Sequence, residues 1–347
     1  MKVYKSTYFD RFRCIAQDCP DSCCKEWDVQ VDEDAAAFYH SLSGPLGDRL
    51  RQVLAEDPEA GTVMTIENGR CPMWRADGLC RIQAELGHEA LCKTCREFPR
   101  LTHDYGDFVE LGLELSCPEA ARLILTSPTE NALVSELPCG EVPEYDTQAM
   151  EILLETRKTA LSLLSDPAYP VSEALILLLF YGYQAQTLLD GGDAPVFDPS
   201  AILAEAKQIA APADPTALLA FFSGLEILTD TWNKRLQTAS VPSAWSELFR
   251  NLARYGIERY WLQAVSDYDL VSRVKMVIIS CLLVRSLGGD TIATAQLYSK
   301  EIENDADNID AILDGAYTHP ALTDAALLGL LFGKARNTSY SAESPSF

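Results

Sequence analysis

The chain has 347 residues, 48 % hydrophobic and 23 % charged, which is the composition of a folded globular protein rather than a disordered one. Its formal charge of −23 excludes a nucleic-acid backbone partner, which needs a clustered basic face that the sequence lacks. The longest apolar runs, Ala174 to Tyr181 and Val277 to Val284, are too short to span a bilayer, so no membrane segment is expected. Residues 1–14 hold no apolar run of signal-peptide length, so a cytoplasmic location is expected.

In chain order, Cys14, Cys19, Cys23 and Cys24 come first, spaced C-x4-C-x3-C-C. Trp27 to Val31 alternates apolar and polar and reads as a short strand. Asp32 caps a helix through Ala37, Phe38 and Tyr39, and a second helix runs from Pro45 to about Leu54. Thr62 to Ile66 is another short strand. It leads to Cys71 and Cys80, which the turn signal Asp77-Gly78 would set opposite each other in a hairpin. Arg81 to Leu91 looks helical and delivers Cys92 and Cys95. Phe108 to Leu115 alternates again, and after Cys117, Pro118 opens a helix.

Residues 133–145, with Pro138, Cys139-Gly140 and Pro143, have the character of a linker. Beyond them the pattern is helical. Met150, Leu153, Leu154, Leu161 and Leu164 share one face, and Val171 to Leu189 is apolar nearly all round. Further helices are expected at Ser200–Ala210, Thr216–Leu236, Ala244–Ser266, Leu270–Leu287, Thr291–Ile312 and Leu322–Ala335. The expected fold is therefore mainly α: a small cysteine-rich α+β module with short strands (1–132) packed on a C-terminal multi-helix bundle (146–337), with a flexible tail (338–347).

Nine of the eleven cysteines lie between Phe12 and Cys117; only Cys139 and Cys281 fall outside. Disulfides are disfavoured by the expected compartment, by the odd total and by the adjacent pair Cys23-Cys24. Small core thiols suit Cys139 and Cys281, but do not explain the C-x4-C-x3-C-C and C-x2-C spacings beside Pro, Gly and Asp. Ligation does explain them, because short spacings let separate loops aim thiolates at one point. The candidate ligands are Cys14, Cys19, Cys23, Cys24, Cys71, Cys80, Cys92, Cys95 and Cys117. Nine exceed one tetrahedral site, so either some are structural or there are two sites, and an all-cysteine set suits zinc or a [4Fe–4S] cluster equally. The radical-enzyme spacing C-x3-C-x2-C is absent, since Glu26 stands where its third cysteine would be.

The runs DSCCKEWDVQVD (Asp21 to Asp32), ENGRCPMWRADGLCRIQAELGHEALCKTCREFPR (Glu67 to Arg100) and LELSCPEAARLIL (Leu113 to Leu125) closely resemble the flagellin lysine-N-methylase family. The likeness continues with lower specificity in RYGIERYWLQAVSDYDLVSRVKMVII and YSKEIENDADNIDAIL. A looser likeness extends to cysteine-cluster proteins described as zinc or iron chelators. The resemblance implies a [4Fe–4S] cluster and methyl transfer from S-adenosylmethionine to lysine side chains of flagellin or another lysine-bearing protein. The alternative is a non-catalytic zinc or iron–sulfur module whose helical domain docks a partner.

The resemblance assigns no catalytic residue and no S-adenosylmethionine contact. The two double glycines, Gly191-Gly192 and Gly288-Gly289, follow helices and read as C-caps rather than as a nucleotide-cradling turn. Arg100 is a candidate partner for a carboxylate or an anionic cluster. Glu301, Glu303, Asp305 and Asp307 read as a lysine-binding face or as a plain solvated helix face. Tyr255, Tyr260 and Trp261 read as an aromatic wall or as core, and His88 and His103 as structural residues near the later cysteines.

Overall fold

A computed structural model describes residues 1–24, 29–58, 60–127, 131–136, 144–238 and 241–333. They form two compact units. One comprises Met1–Glu144 with Leu228–Asp230 and Ala295–Glu301; the other comprises Tyr145–Ile227, Thr231–Thr294 and Ile302–Phe347.

The first unit is α+β, as expected. Its strands are β1 (Lys2–Ser6), β2 (Val29–Gln30), β3 (Leu54–Asp57), β4 (Gly61–Met64), β5 (Arg100–Asp104), β6 (Phe108–Leu113) and β7 (Asn131–Glu136). They make a four-stranded sheet ordered β5-β6-β1-β7 and a three-stranded sheet ordered β2-β4-β3. β1 runs parallel to β6, with Lys2 opposite Phe108, and antiparallel to β7. β5 and β6 form a hairpin whose turn uses Gly106 at φ +84°, a conformation that costs other residues strain.

The strand expected at Trp27–Val31 is present at Val29–Gln30; Trp27 and Asp28 lie outside the described residues. The stretch that begins the expected linker is still strand as far as Glu136, because β7 hydrogen-bonds to β1. The rest of that stretch, 137–143 with Cys139, lies outside the described residues. Asp32 caps the helix Glu33–Ser41 by accepting from the Ala35 N–H at 3.1 Å. The helix expected to reach Leu91 stops at Leu86. Gly87, at φ +89°, ends it, and a short 3-10 turn, His88–Ala90, follows. The apolar core here is small: Tyr39, Leu50, Val53, Met64, Met73, Ile82 and Leu91 pack with Cys71 and Cys92.

The second unit is helical. Val171–Leu189 and Leu270–Leu287 form as expected, and the latter is buried on nearly every face. Three long expected helices are interrupted. Thr216–Leu236 is instead Pro215–Ser223 and Asp230–Gln237. Ala244–Ser266 is Glu247–Tyr260 followed by a 3-10 turn, Trp261–Val265. Thr291–Ile312 becomes Thr291–Tyr298, a π turn at Ser299–Glu303, and the helix Ala306–Thr318. Gly191, Gly288 and Gly289 have positive φ at helix ends, as C-caps do. Among the described residues no helix is long and apolar enough to cross a membrane. The last helix is Asp324–Phe332, and residues 334–347 lie outside the description.

Helix packing on Leu270–Leu287 depends on two glycines. A Cβ at Gly182 would meet Val274 Cγ1 at 2.9 Å, and one at Gly256 would meet Val277 Cγ2 at 2.7 Å. Overpacking costs about 1–3 kcal/mol, whereas the better helix propensity of alanine returns only about 1 kcal/mol. Gly256→Ala is therefore expected to lower the urea-unfolding free energy by about 1–2 kcal/mol net. Adding Val277→Ala should recover part of that loss; an unchanged midpoint for Gly256→Ala would contradict the close packing.

Candidate metal centre

All nine candidate cysteines sit in the first unit, and among the described residues every cysteine is a free thiol. Cys14 follows the 3-10 turn Phe9–Arg11, and Cys19 ends the turn Ala16–Asp18. The Cys71 N–H donates to the Cys24 carbonyl at 2.7 Å, which ties the first cysteine loop to the second. The turn at Asp77-Gly78 forms, with Gly78 at φ +80° and the Arg75 N–H donating to the Leu79 carbonyl at 2.9 Å. Its register is not the expected one, however: Trp74, not Cys71, lies opposite Cys80. Cys71 is one turn further back, its carbonyl accepting from the Trp74 N–H.

Cys80, Cys92 and Cys117 each occupy the N-cap of a helix: Arg81–Leu86, Lys93–Glu97 and Pro118–Thr126. Unsatisfied amides at a helix start favour a negative sulfur. The N–H groups of Gln83 and Ile82 act in this way on Cys80, that of Cys95 on Cys92, and those of Ala120 and Glu119 on Cys117. None reaches the geometry of a full capping hydrogen bond. Asp32 fixes the Cys92–Cys95 turn from outside. Its carboxylate accepts from the Lys93 N–H at 2.6 Å, and this bond holds its carboxyl below the ordinary range. The Thr94 hydroxyl donates to the Gln30 carbonyl at 2.8 Å on the same side.

The thiols act on one another in two overlapping groups. Cys19 feels Cys14 and Cys23, and Cys117 feels Cys19 and Cys23. Cys24 feels Cys23, Cys71 and Cys80, while Cys95 feels Cys92, Cys24 and Cys23. Cys23 thus links the two groups, with Cys24 beside it in the second. Burial pushes Cys71 up to about 11 and Cys117 up to about 12, and raises Cys19 and Cys80 as well. Within the hydrogen-bonded pairs one thiol is lowered and the other raised. Cys23 falls to about 7 through its bond with Cys24, which rises; Cys92 falls to about 7 through its bond with Cys95, which rises.

Such a set stays largely protonated on its own, because each thiolate opposes the next. It suits a thiophilic cation that displaces the protons. Two buried donors beside the cysteines support that fit. The Ser116 hydroxyl and the Trp74 indole N–H have no hydrogen-bond partner among the described residues, and Ser116 adjoins Cys117 while Trp74 faces Cys80. Buried orphan donors are uncommon, and an acceptor brought by a bound group is one way to satisfy them. Cys281 is separate: it is fully buried in Leu270–Leu287 and pushed up to about 12 by burial, as a core thiol should be.

Other expected site residues have different roles. The Arg100 guanidinium lies over the rings of Phe12 and Phe9, at 5.4 and 5.9 Å, in cation–π contact. His88 is exposed and His103 is half-buried. The acidic run is neither an open lysine-binding face nor a solvated one at its first two positions. Glu301 is fully buried and accepts from the N–H groups of Leu228 (3.0 Å) and Thr229 (3.3 Å) and from the Thr229 hydroxyl, and burial raises its pKa. Glu303 accepts from the Tyr255 and Tyr260 hydroxyls at 3.0 and 2.8 Å and pairs with Arg259 at 3.2 Å. Asp305 caps the helix Ala306–Thr318, and with Glu226 and Asp307 it groups carboxylate oxygens within 4.8 Å of one another. Trp261 is core, stacked on Tyr181 and donating to the Thr156 hydroxyl at 3.3 Å.

Two residues that the sequence did not single out, Gln296 and Lys300, join the cysteine loops. The Gln296 amide donates to Asp21 Oδ2 at 3.2 Å and to the Ser116 carbonyl at 2.7 Å, and Lys300 pairs with Asp21 at 3.5 Å. Gln296 and Asp21 are 275 positions apart, so no local pattern could have joined them.

The chain is 32 % identical over 137 residues to a lysine-N-methylase of Salmonella typhimurium, covering 38 % of this chain and 34 % of that protein. It is 31 % identical over 144 residues to the flagellar biosynthetic protein FliU of Salmonella muenchen, covering 38 % of this chain and 81 % of FliU. A lysine-N-methylase of Salmonella choleraesuis is 31 % identical over 137 residues, again across 34 % of its length. The match thus spans about a third of the two lysine-N-methylases and most of FliU. No family model and no solved structure matches the chain. On the extent of the FliU match, the chain belongs to the flagellin lysine-N-methylase family.

Two stability measurements test this geometry. Asp32→Ala, which loses both the cap and the bond to the Lys93 N–H, is expected to cost about 2 kcal/mol, and Asp32→Asn, whose single oxygen can keep only one of the two bonds, about half as much; equal losses for both would show that these bonds are not the cause. Glu303→Ala, which strands Arg259 in the interior, is expected to cost about 3–5 kcal/mol, whereas Asp307→Ala should stay within about 0.5 kcal/mol. Similar small effects for both would return Glu303 to the surface.

Proposed function

We propose that this chain is a protein-lysine N-methyltransferase acting on flagellin lysine side chains, dependent on an iron–sulfur cluster, with S-adenosylmethionine as methyl donor. The observation that carries the cluster is the gathering of nine free thiols, drawn from four stretches of sequence, into one unit. Cys14, Cys19, Cys23 and Cys117 are the proposed ligands of one corner, and Cys24, Cys71, Cys80, Cys92 and Cys95 those of the other. A [4Fe–4S] centre, when bound, supplies an electron-transferring and Lewis-acidic site; zinc is the alternative occupant of the same thiols. Support for the activity is the family, two of whose members named above are lysine-N-methylases.

The reaction breaks the sulfonium C–S bond of the donor, forms an N–C bond to the lysine amine, and releases one proton from that amine. The amine must be neutral when it attacks, so a proton acceptor is required. The chain's charge of −23 favours approach of a lysine-bearing surface, and a cytoplasmic setting would keep the thiols reduced. The glycine pairs end helices, so the donor site is not the glycine-rich turn of a doubly wound nucleotide fold.

Protein isolated without oxygen should carry iron and sulfide, and with labelled S-adenosylmethionine should label co-expressed flagellin on lysine. Stripping the metal with a chelator should abolish labelling. Metal without transfer to any lysine-bearing protein would leave the non-catalytic docking module as the reading.

A further inference from the structure

The segment Ala295–Glu301 belongs to the cysteine unit although it lies far along the sequence from the cysteines. Within it, Gln296 stands on the helix Thr291–Tyr298 and Lys300, four positions on, in the π turn Ser299–Glu303 that continues it. Both side chains converge on one carboxylate oxygen, Asp21 Oδ2, at 3.2 and 3.5 Å. The other oxygen of Asp21 accepts from the Ser22 N–H at 2.8 Å, so the carboxylate is held from both sides.

Asp21 lies between Cys19 and Cys23, and its own N–H acts on the Cys19 sulfur. Gln296 also donates to the carbonyl of Ser116, the residue before Cys117. One amide therefore bridges the loop bearing Cys19 and Cys23 to the start of the helix that bears Cys117, joining the three thiols that act on one another in this corner. The Lys300–Asp21 pair is largely shielded from water, with side chains 14 % and 18 % exposed. An exposed pair would contribute about 0–1 kcal/mol, and a shielded one must also overcome the cost of removing both charges from water. Stability is thus a weak reason for a lysine here, and a nearby negative centre is a better one. Paired with Asp21, Lys300 holds its charge at the loop that carries Cys23, two positions on from Asp21.

We infer that Gln296 and Lys300 are positioning residues of the metal centre proposed above. Gln296 sets the spacing between the Asp21 loop and Cys117, and Lys300 places positive charge beside Cys23 that offsets the charge of an all-thiolate centre. The inference rests on the thiols binding metal, and adds residues that are not themselves ligands. A positive charge beside a cluster makes its reduction easier, so Lys300 should raise the reduction potential, while Gln296 should act on retention.

The test uses the full chain, isolated and reconstituted without oxygen, as wild type, Lys300→Met, Lys300→Arg, Gln296→Ala and the exposed control Lys158→Met. Iron, sulfide and zinc per chain, the half-life of metal release to a chelator, and the reduction midpoint are measured, with helicity as the check on folding. Lys300→Met should move the midpoint to a more negative value and shorten the release half-life several-fold. Lys300→Arg should restore the midpoint, Gln296→Ala should shorten the half-life with little change in midpoint, and Lys158→Met should match wild type. If Lys300→Met does not fold, Lys300→Arg and Gln296→Ala carry the test. Wild-type midpoint and half-life in Lys300→Met and Gln296→Ala, with metal present, would overturn the inference alone. A wild-type chain that binds neither iron nor zinc would overturn the metal centre itself.

Discussion

A buried thiol resists losing its proton, and each neighbour that ionises makes the next ionisation harder. The unit that holds nine cysteine sulfurs is built around that conflict. Four of the sulfurs, Cys19, Cys71, Cys80 and Cys117, are raised chiefly by burial, and the two hydrogen-bonded pairs each hold one proton more tightly in exchange for releasing the other. A multiply charged cation resolves the conflict by replacing protons with shared positive charge, and its binding energy then becomes folding energy for the loops that carry the ligands. The small apolar core of this unit, centred on Tyr39, Leu50 and Met73, makes that contribution valuable.

The surrounding structure orients the sulfurs by backbone rather than by bulk. Three of them occupy helix N-caps, where free amides face them, and Cys71 is tied by its own N–H to the carbonyl of Cys24. Asp32 and Asp21 serve the same end from outside: one grips the amide that follows Cys92, and the other receives Gln296 and Lys300. Acidic residues beside a negative centre would be unfavourable alone. Here each is neutralised by hydrogen bonds or by a lysine, so the loops gain rigidity with little added repulsion.

What could be read from the sequence was what short-range chemistry determines. The cap at Asp32, the helix after Pro118 and the apolar helices Val171–Leu189 and Leu270–Leu287 each depend on neighbours within a few residues. The turn at Asp77-Gly78 was equally local, but its register was not: the side chains facing across it are set by how Met73 and Arg81 pair, which placed Trp74 opposite Cys80. β1 and β7 were missed because they form only through long-range pairing, β7 with β1 and β1 with β6 as well. Glu301 and Glu303 looked like surface acids until donors from elsewhere in the chain, Thr229, Tyr255, Tyr260 and Arg259, drew them inside. The nine cysteines share one unit as their clustering along the sequence suggests, whereas Lys300 and Gln296 were invisible because their partner lies at the other end of the chain.

The most direct measurement is X-ray absorption at the iron and zinc edges of the anaerobically isolated full-length chain, together with a count of reactive thiols. The account expects metal surrounded by sulfur alone, with iron–iron scattering if the centre is a cluster, and far fewer reactive thiols than the nine cysteines would give. Metal at trace level with all nine thiols titrating freely, or the same cysteines recovered as disulfide pairs, would contradict it.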